Sequence, residues 1–293
     1  MALVLAAPAP AALDDVVRAL RDWQDEAAPL QLHPGDLGWA WRLGADAVAR
    51  AVRTWSSGRR LCAVGFLDGP DVLRTTVAPG LWRDEDLAQQ IVSDVSDPAR
   101  GVLPAGRVSV EAPNGTRVQE LLDDVGWSLG EAWTPLHRDL AEPVEAPGLR
   151  VEVVRPGHES SFTAVHRSAW DRPHLTDERW RTMAGGPPFA EARCLLGRDD
   201  DDVAVSGVTV WSAGPGRPGL LEPMGVHAEH RGRGHGRSIC LAGAAELRRL
   251  GASSALVCTP SSLVPAVATY RAAGFRPLAE RFDRQVVTSS TTS

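Results

Sequence analysis

The sequence predicts an α/β fold built as two related halves in tandem. Three observations carry this: a strand, turn and helix pattern near residue 230, a break in every periodicity at residues 141–150, and an internal repeat that appears when Val108 is laid on Leu256. A chain of 293 residues is about two domains by length, and 43% hydrophobic residues suffice for a core in each.

Near residue 230, an apolar strand-like run (Leu220, Leu221, then Met224 to Val226) is followed by Arg231-Gly232-Arg233-Gly234-His235-Gly236. A helical pattern then places Ile239, Gly243, Leu247 and Leu250 on one face. Glycines at 232, 234 and 236 permit positive φ and leave the main chain bare, so several N–H groups can converge on an anion. The first turn of the helix adds unpaired donors and partial positive charge, and Arg231, Arg233 and Arg237 add full charges. A pyrophosphate is the natural guest, and an arginine-decorated surface loop is the alternative. No Gly-Lys-Ser/Thr follows, so this is not a Walker loop. A dinucleotide fingerprint would need an acid at the end of the next strand, where Ala255 to Cys258 instead runs into Thr259-Pro260-Ser261-Ser262.

The segment 140–148 carries Pro143, Pro147 and Gly148 and reads as a linker, set at 141–150. On either side of it, Val108 to Pro113 aligns with Leu256 to Ser261, and Val125-Gly126-Trp127 aligns with Ala273-Gly274-Phe275. Upstream, Leu73 to Pro79 parallels Glu222 to Ala228. The halves differ where an anion would sit: the places matching Arg231, Gly234 and Gly236 hold Trp82, Glu85 and Leu87. Side chains there block close approach to the main chain, and Asp84, Glu85 and Asp86 suit the first turn of an ordinary helix instead. Tyr270, the single tyrosine of the chain, is matched by Leu122.

The pattern Val226-x-Ala228-x-x-Arg231-Gly-x-Gly234-x-Gly236 resembles the acetyl-CoA loop of the GNAT acetyltransferases, with Ala228 in place of the usual proline. Ala266-x-x-x-Tyr270-x-x-x-Gly274-Phe275 resembles that family's second cofactor-contacting helix and the Gly-Phe that leads into its last strands. The resemblance covers residues 151–293. It implies two tandem GNAT-like domains, each with a mixed, mostly antiparallel central sheet flanked by helices. Residues 1–140 would be a degenerate copy that shapes the acceptor site or serves as structural support, and residues 151–293 the catalytic domain. Acetyl-CoA would be held by Val226, Arg231, Gly232, Arg233, Gly234, His235, Gly236 and Arg237. One departure is Leu263, which stands where the family often has an asparagine, so Ser261 or Ser262 would take over its polar contact.

Acyl transfer to an amine needs a proton acceptor, a partner for the charge on the thioester oxygen, and a partner for the departing sulfur. The resemblance assigns the oxygen to the backbone N–H of Val226, where the strand splays from its neighbour. Tyr270 is the candidate proton donor to the sulfur, against a reading as a packing residue beside Ala266 and Ala273. Glu222 is the candidate base: it lies four residues before Val226, so both share a face unless a bulge intervenes. A salt bridge to a strand-edge arginine is the alternative, with His227, His230 or a water as competing bases. His235 is expected to face away from the ligand. For the acceptor, residues 162–186 offer Trp170, Asp171, His174, Glu178 and Trp180, as an amine-binding wall or as core aromatics with a solvated face. The expected reaction moves an acetyl group to a primary amine of a small molecule or peptide by direct attack in a ternary complex. The rivals are a mycothiol-synthase-like enzyme and a non-catalytic acyl-CoA sensor.

A net charge of −6 with pI near 5.8 argues against a nucleic-acid partner. Every basic side chain other than histidine is arginine. Cys62, Cys194, Cys240 and Cys258 lack metal or disulfide spacing and read as small buried hydrophobes in a reducing compartment, and no metal site is expected. No run approaches the roughly 20 apolar residues of a membrane span, so a cytoplasmic location without membrane contact is expected. A tandem chain supplies its own pseudo-dimer, which favours a monomer over a homodimer.

Overall fold

The computed structural model describes residues 3–170 and 175–288. The first half runs β1 (Leu3–Ala6), α1 (Leu13–Asp22), α2 (Pro34–Ala40), α3 (Ala45–Ala51), β2 (Val52–Ser57), β3 (Arg60–Leu67), β4 (Val72–Val77), α4 (Glu85–Ser96), β5 (Gly106–Glu111), α5 (Arg117–Asp124) and β6 (Ser128–Asp139). The second half follows the same plan, with two helices instead of three after its first strand and a short extra strand near its end: β7 (Arg150–Val153), α6 (Ser160–Trp170), α7 (Asp177–Ala184), β8 (Ala192–Arg198), β9 (Ala204–Trp211), β10 (Gly219–Val226), α8 (His235–Arg249), β11 (Ser254–Pro260), α9 (Val264–Ala272), β12 (Arg276–Pro277) and β13 (Arg281–Thr288).

All thirteen strands among the described residues join one sheet, in the order β1-β2-β3-β4-β5-β13-β6-β11-β10-β9-β8-β7, with β12 pairing β6. Two pairings are parallel, β4 with β5 and β10 with β11, and the rest are antiparallel. The centre is where the halves exchange strands. β13, from the second half, lies between β5 and β6 of the first, while β6 lies between β13 and β11. The two expected sheets are therefore one continuous sheet.

Helices cover both faces of the sheet in each half. Leu13, Leu20, Leu37 and Trp41 form the core under α1–α3, and Ile91 and Leu122 lie with Trp55 and Leu73 under α4 and α5. In the second half, Phe162, Trp180 and Trp211 fill the face under α6 and α7, and Ile239, Leu247, Tyr270 and Phe275 fill the face under α8 and α9. Local chemistry sets where the helices begin. Asp84 is the N-cap of α4 and accepts from Leu87 N at 2.9 Å, with Glu85 and Asp86 in the first turn as the carboxylate run predicts. The four cysteines are free, and Cys62, Cys194 and Cys240 are buried. No helix among the described residues is long and apolar enough to cross a membrane.

Candidate active site

β10 runs beside β11 only at Gly219 and Leu220, which face Ala255 and Leu256; beyond that point the two strands part. On the other side β10 stays paired with β9, and His227 N donates to Val205 O at 2.9 Å. Donors alternate along an antiparallel strand, so the N–H of Val226 points away from β9 and into the gap. The parting of β10 and β11 opens the space in front of that donor.

Beyond Val226 the chain turns over the end of α6: Ala228 N donates to Ser168 Oγ at 3.0 Å and Arg231 Nη2 to Ala169 O at 2.6 Å. Gly232 (φ 76°) and Gly234 (φ 84°) then take left-handed conformations, and nothing lies within 4 Å of where a Cβ would sit on either. Gly234 is the N-cap of α8 and supplies no side-chain acceptor, which leaves the first-turn N–H groups of a 15-residue helix facing outward. Gly236 differs from the expectation for it. Its φ is not positive, and a Cβ would meet Thr269 Cγ2 at 2.9 Å, so it is glycine because α9 packs close.

The arginines divide. Arg233 is exposed at the mouth, whereas Arg237 donates from Nε to Ala272 O at 2.9 Å and braces the end of α9. His235 is the first residue of α8 and its ring lies 6.3 Å from that of His230; partial burial holds it below the usual histidine value. Ser261 is occupied by Thr134 at 2.7 Å, and the exposed Ser262 makes a 3.4 Å contact with Glu131.

Tyr270 is buried on α9, edge-on to Phe275 with centroids 6.0 Å apart. Burial, reinforced by Cys240, Glu222 and Cys258, raises its phenol well above its ordinary value. A phenol above 10 is a weaker acid than a thiol near 8.5, so complete proton transfer to a departing thiolate runs uphill. A phenol in that state keeps its proton and can still donate a hydrogen bond.

Glu222 opens a bulge. The register with β9 shifts between Leu221 and Met224, which breaks the alternation that would have put Glu222 and Val226 on one face. Val226 turns its side chain toward Gly236 of α8, and Glu222 lines a cavity of about 160 Å³ on the opposite face. The cavity walls come from the first half: Asp36 and Trp39 of α2, Arg42, Phe66, Asp68 and Arg74. The backbone oxygen of Glu222 accepts from Trp211 Nε1 at 2.6 Å; among the described residues its carboxyl forms neither the strand-edge salt bridge weighed for it nor a hydrogen bond. Burial, followed by the nearby Asp36, pushes that carboxyl up to about 8, with Arg74 opposing.

Trp211 also explains how α2 comes so near. A Cβ on Gly35 or Gly38 would fall 2.5 Å or 2.3 Å from the Trp211 ring, so two glycines let the helix lie against the indole. His33 caps α2: Gly35 N donates to its Nδ1 at 3.0 Å, which leaves its Nε2–H for Pro218 O at 3.3 Å. Burial lowers this histidine to about 3, so it is neutral. None of these first-half residues was singled out from sequence. The one available signal was Arg74, a charge inside the strand-like run from Val72 to Val77.

Of the acceptor wall expected at residues 162–186, Trp180 is fully buried and donates to Cys194 Sγ at 3.3 Å, so it is core. Trp170 is half exposed and stacks on His166. Asp171 and His174 lie outside the described residues. In the first half, the gap matching the Val226 site is filled. Trp82 Nε1 donates to Val77 O at 3.0 Å, Arg117 N donates to Trp82 O at 2.8 Å, and Arg117 pairs with Glu85 at 2.6 Å.

A family model described as Acetyltransferase (GNAT) family matches residues 157–275. A mycothiol acetyltransferase of Corynebacterium urealyticum is 30% identical over 241 residues, covering 70% of this chain and 70% of that protein. The chain belongs to the GNAT acetyltransferase family. A second mycothiol acetyltransferase, from Cellulomonas flavigena, is 29% identical over 60% of this chain and 53% of its own length. Among solved structures, a tandem GNAT protein from the clavulanic acid biosynthesis pathway aligns over 99% of this chain and 100% of its own with TM-score 0.64 and 18% identity. A GCN5-related N-acetyltransferase from Sphaerobacter thermophilus aligns over 98% and 96% with TM-score 0.60 and 19% identity. Both share the fold of this chain.

This GNAT acetyltransferase therefore has acetyl-CoA as its family's acetyl donor. The residues present fit that molecule on structural grounds: a bare, left-handed glycine turn with open space before it, leading into a helix whose first donors are uncapped. No cluster among the described residues could hold a metal ion.

Proposed function

We propose that this protein transfers the acetyl group of acetyl-CoA to a primary amine of a small molecule or peptide by direct attack in a ternary complex. The observation that carries this reading is the placement of Glu222 and Tyr270 on opposite faces of the sheet, on either side of the gap between β10 and β11. Acetyl-CoA, when bound, supplies the acetyl group as a thioester. The turn at Gly232 and Gly234 and the start of α8 would hold its diphosphate, with Arg233 adding charge at the mouth. The Val226 N–H meets the charge that develops on the thioester oxygen. Glu222 takes the proton that the amine sheds as the new bond forms; a carboxyl near 8 is strong enough as a base and still partly ionised at neutral pH. Tyr270 stays protonated and donates to the departing sulfur.

The cavity that Glu222 shares with the first half is the acceptor site in this reading. Its carboxylates, Trp39 and Phe66 suit an amine, and Arg42 suits an oxygen of the same molecule. The relatives named mycothiol acetyltransferases favour a narrower version, in which the acceptor is a sugar-linked cysteine amine. A thiol-release assay with acetyl-CoA across amines, amino acids, peptides, aminoglycosides and sugar-linked cysteines tests both versions. Release above hydrolysis for one acceptor class, lost in Glu222→Gln, is the expected result. Equal release with and without every amine would sink the proposal.

A further inference from the structure

The cavity around Glu222 contains a fixed positive charge that the second half does not supply. Arg74 stands in β4, where an arginine interrupts an apolar strand, and its side chain is only 14% exposed. Three carboxylates of the first half surround it: Asp36 at 2.7 Å, Glu111 at 3.1 Å and Asp68 at 3.7 Å. Glu111 also pairs with Arg281 of β13 at 2.6 Å. The guanidinium is planar, takes several carboxylates in fixed directions and does not deprotonate. Arg74 is thus held rigidly in the wall of the cavity that Glu222 also lines, with no hydrogen bond between the two.

We propose that Arg74 is the positioning residue through which the first half governs Glu222, its field favouring the carboxylate that serves as base. This rests on the reading of Glu222 as the base and gives the first half a part in a reaction whose cofactor loop lies in the second.

The charged groups that act on Glu222 stand in the first half. Asp36 on α2, Asp68 on the turn before β4 and Glu111 on β5 disfavour its ionised form, and burial does so most of all. Arg74 acts against them, and Arg42 adds a second positive charge in the same cavity. Burial opposes the charge on Arg74 itself, but Asp36, Glu111, Glu222 and Asp68 together hold it above the ordinary arginine value. A single opposite charge within about 4–6 Å moves a carboxyl by about one to three pH units.

The test is a carboxyl-¹³C NMR titration of the full-length protein, with the Glu222 signal assigned by its loss in Glu222→Gln. Arg74→Gln should raise the Glu222 midpoint by about one unit or more, Asp36→Asn should lower it, and Arg74→Lys should leave it near wild type. Opposite shifts cannot come from general damage, which lets water reach the carboxyl and lowers its midpoint in every variant. Should Arg74→Gln fail to fold, the paired variant Arg74→Gln with Asp36→Asn removes both partners, and its midpoint should lie above that of Asp36→Asn alone by a similar amount. An unmoved midpoint in the Arg74 variants, or shifts of one sign in both single variants, overturns the proposal. The kcat/KM–pH profile of Glu222→Gln separates this from the underlying reading. If its acid limb matches wild type, Glu222 is not the base; if that limb is abolished but Arg74 variants titrate like wild type, only the role of Arg74 fails.

Discussion

A carboxyl held near 8 leaves a mark on both rate and stability. If Glu222 is the base, kcat/KM climbs as pH rises toward its midpoint and then levels. The folded protein binds a proton at Glu222 that the unfolded chain, with an ordinary glutamate near 4.5, has already lost, so folding is favoured less as pH rises. The loss begins near 4.5 and is complete above about 8. Glu222→Gln has no such proton to lose, so its Tm relative to wild type should rise between pH 5 and pH 8. A constant difference across that range would mean that Glu222 titrates normally. At this scale the sequence points to Val226, Gly234 and Tyr270, because a motif fixes their spacing. Asp36, Trp39 and Arg74 do not, because they belong to separate elements whose meeting depends on tertiary packing rather than on any local pattern.

Among the elements, α2 carries an unusual duty. It belongs to the first half but rests its Gly35 and Gly38 on Trp211, whose indole grips the Glu222 carbonyl. Gly38→Ala would place a methyl 2.3 Å from the Trp211 ring, so the helix must lift or the indole must turn. A stability loss of about 1–3 kcal/mol is expected from such overpacking. It should be accompanied by a fall in kcat with acetyl-CoA affinity kept, since α8 and its glycine turn are untouched. Denaturant melts and calorimetry measure the two effects, and a parallel loss of acetyl-CoA affinity would refute the separation. Helix starts were legible here, as at Asp84, because caps and first-turn charges are local. The bulge at Glu222 was not, since one extra residue in a strand leaves the apolar pattern almost unchanged.

On the scale of the whole molecule, the repeat was visible but the strand exchange was not. Aligning Val108 with Leu256 reveals two similar halves, and nothing in either indicates that β6 and β13 trade neighbours. Residues 151–293 expressed alone would lack β6, the antiparallel partner of β11 along Ser254 to Pro260, and would expose an edge in mid-sheet. We expect that fragment to aggregate and to show no acetyl transfer, and co-expression with residues 1–150 to restore a tight, active pair. A soluble, active fragment would show that the exchange is dispensable.

The exchange also dictates an order of events during synthesis. β5 emerges early from the ribosome, yet its neighbour on one flank is β13, so the first half cannot close until residues 281–288 have been made. Until then β5 lacks its native neighbour on that flank, and a message cut short before those codons would leave β5 and β6 without the strand that joins them.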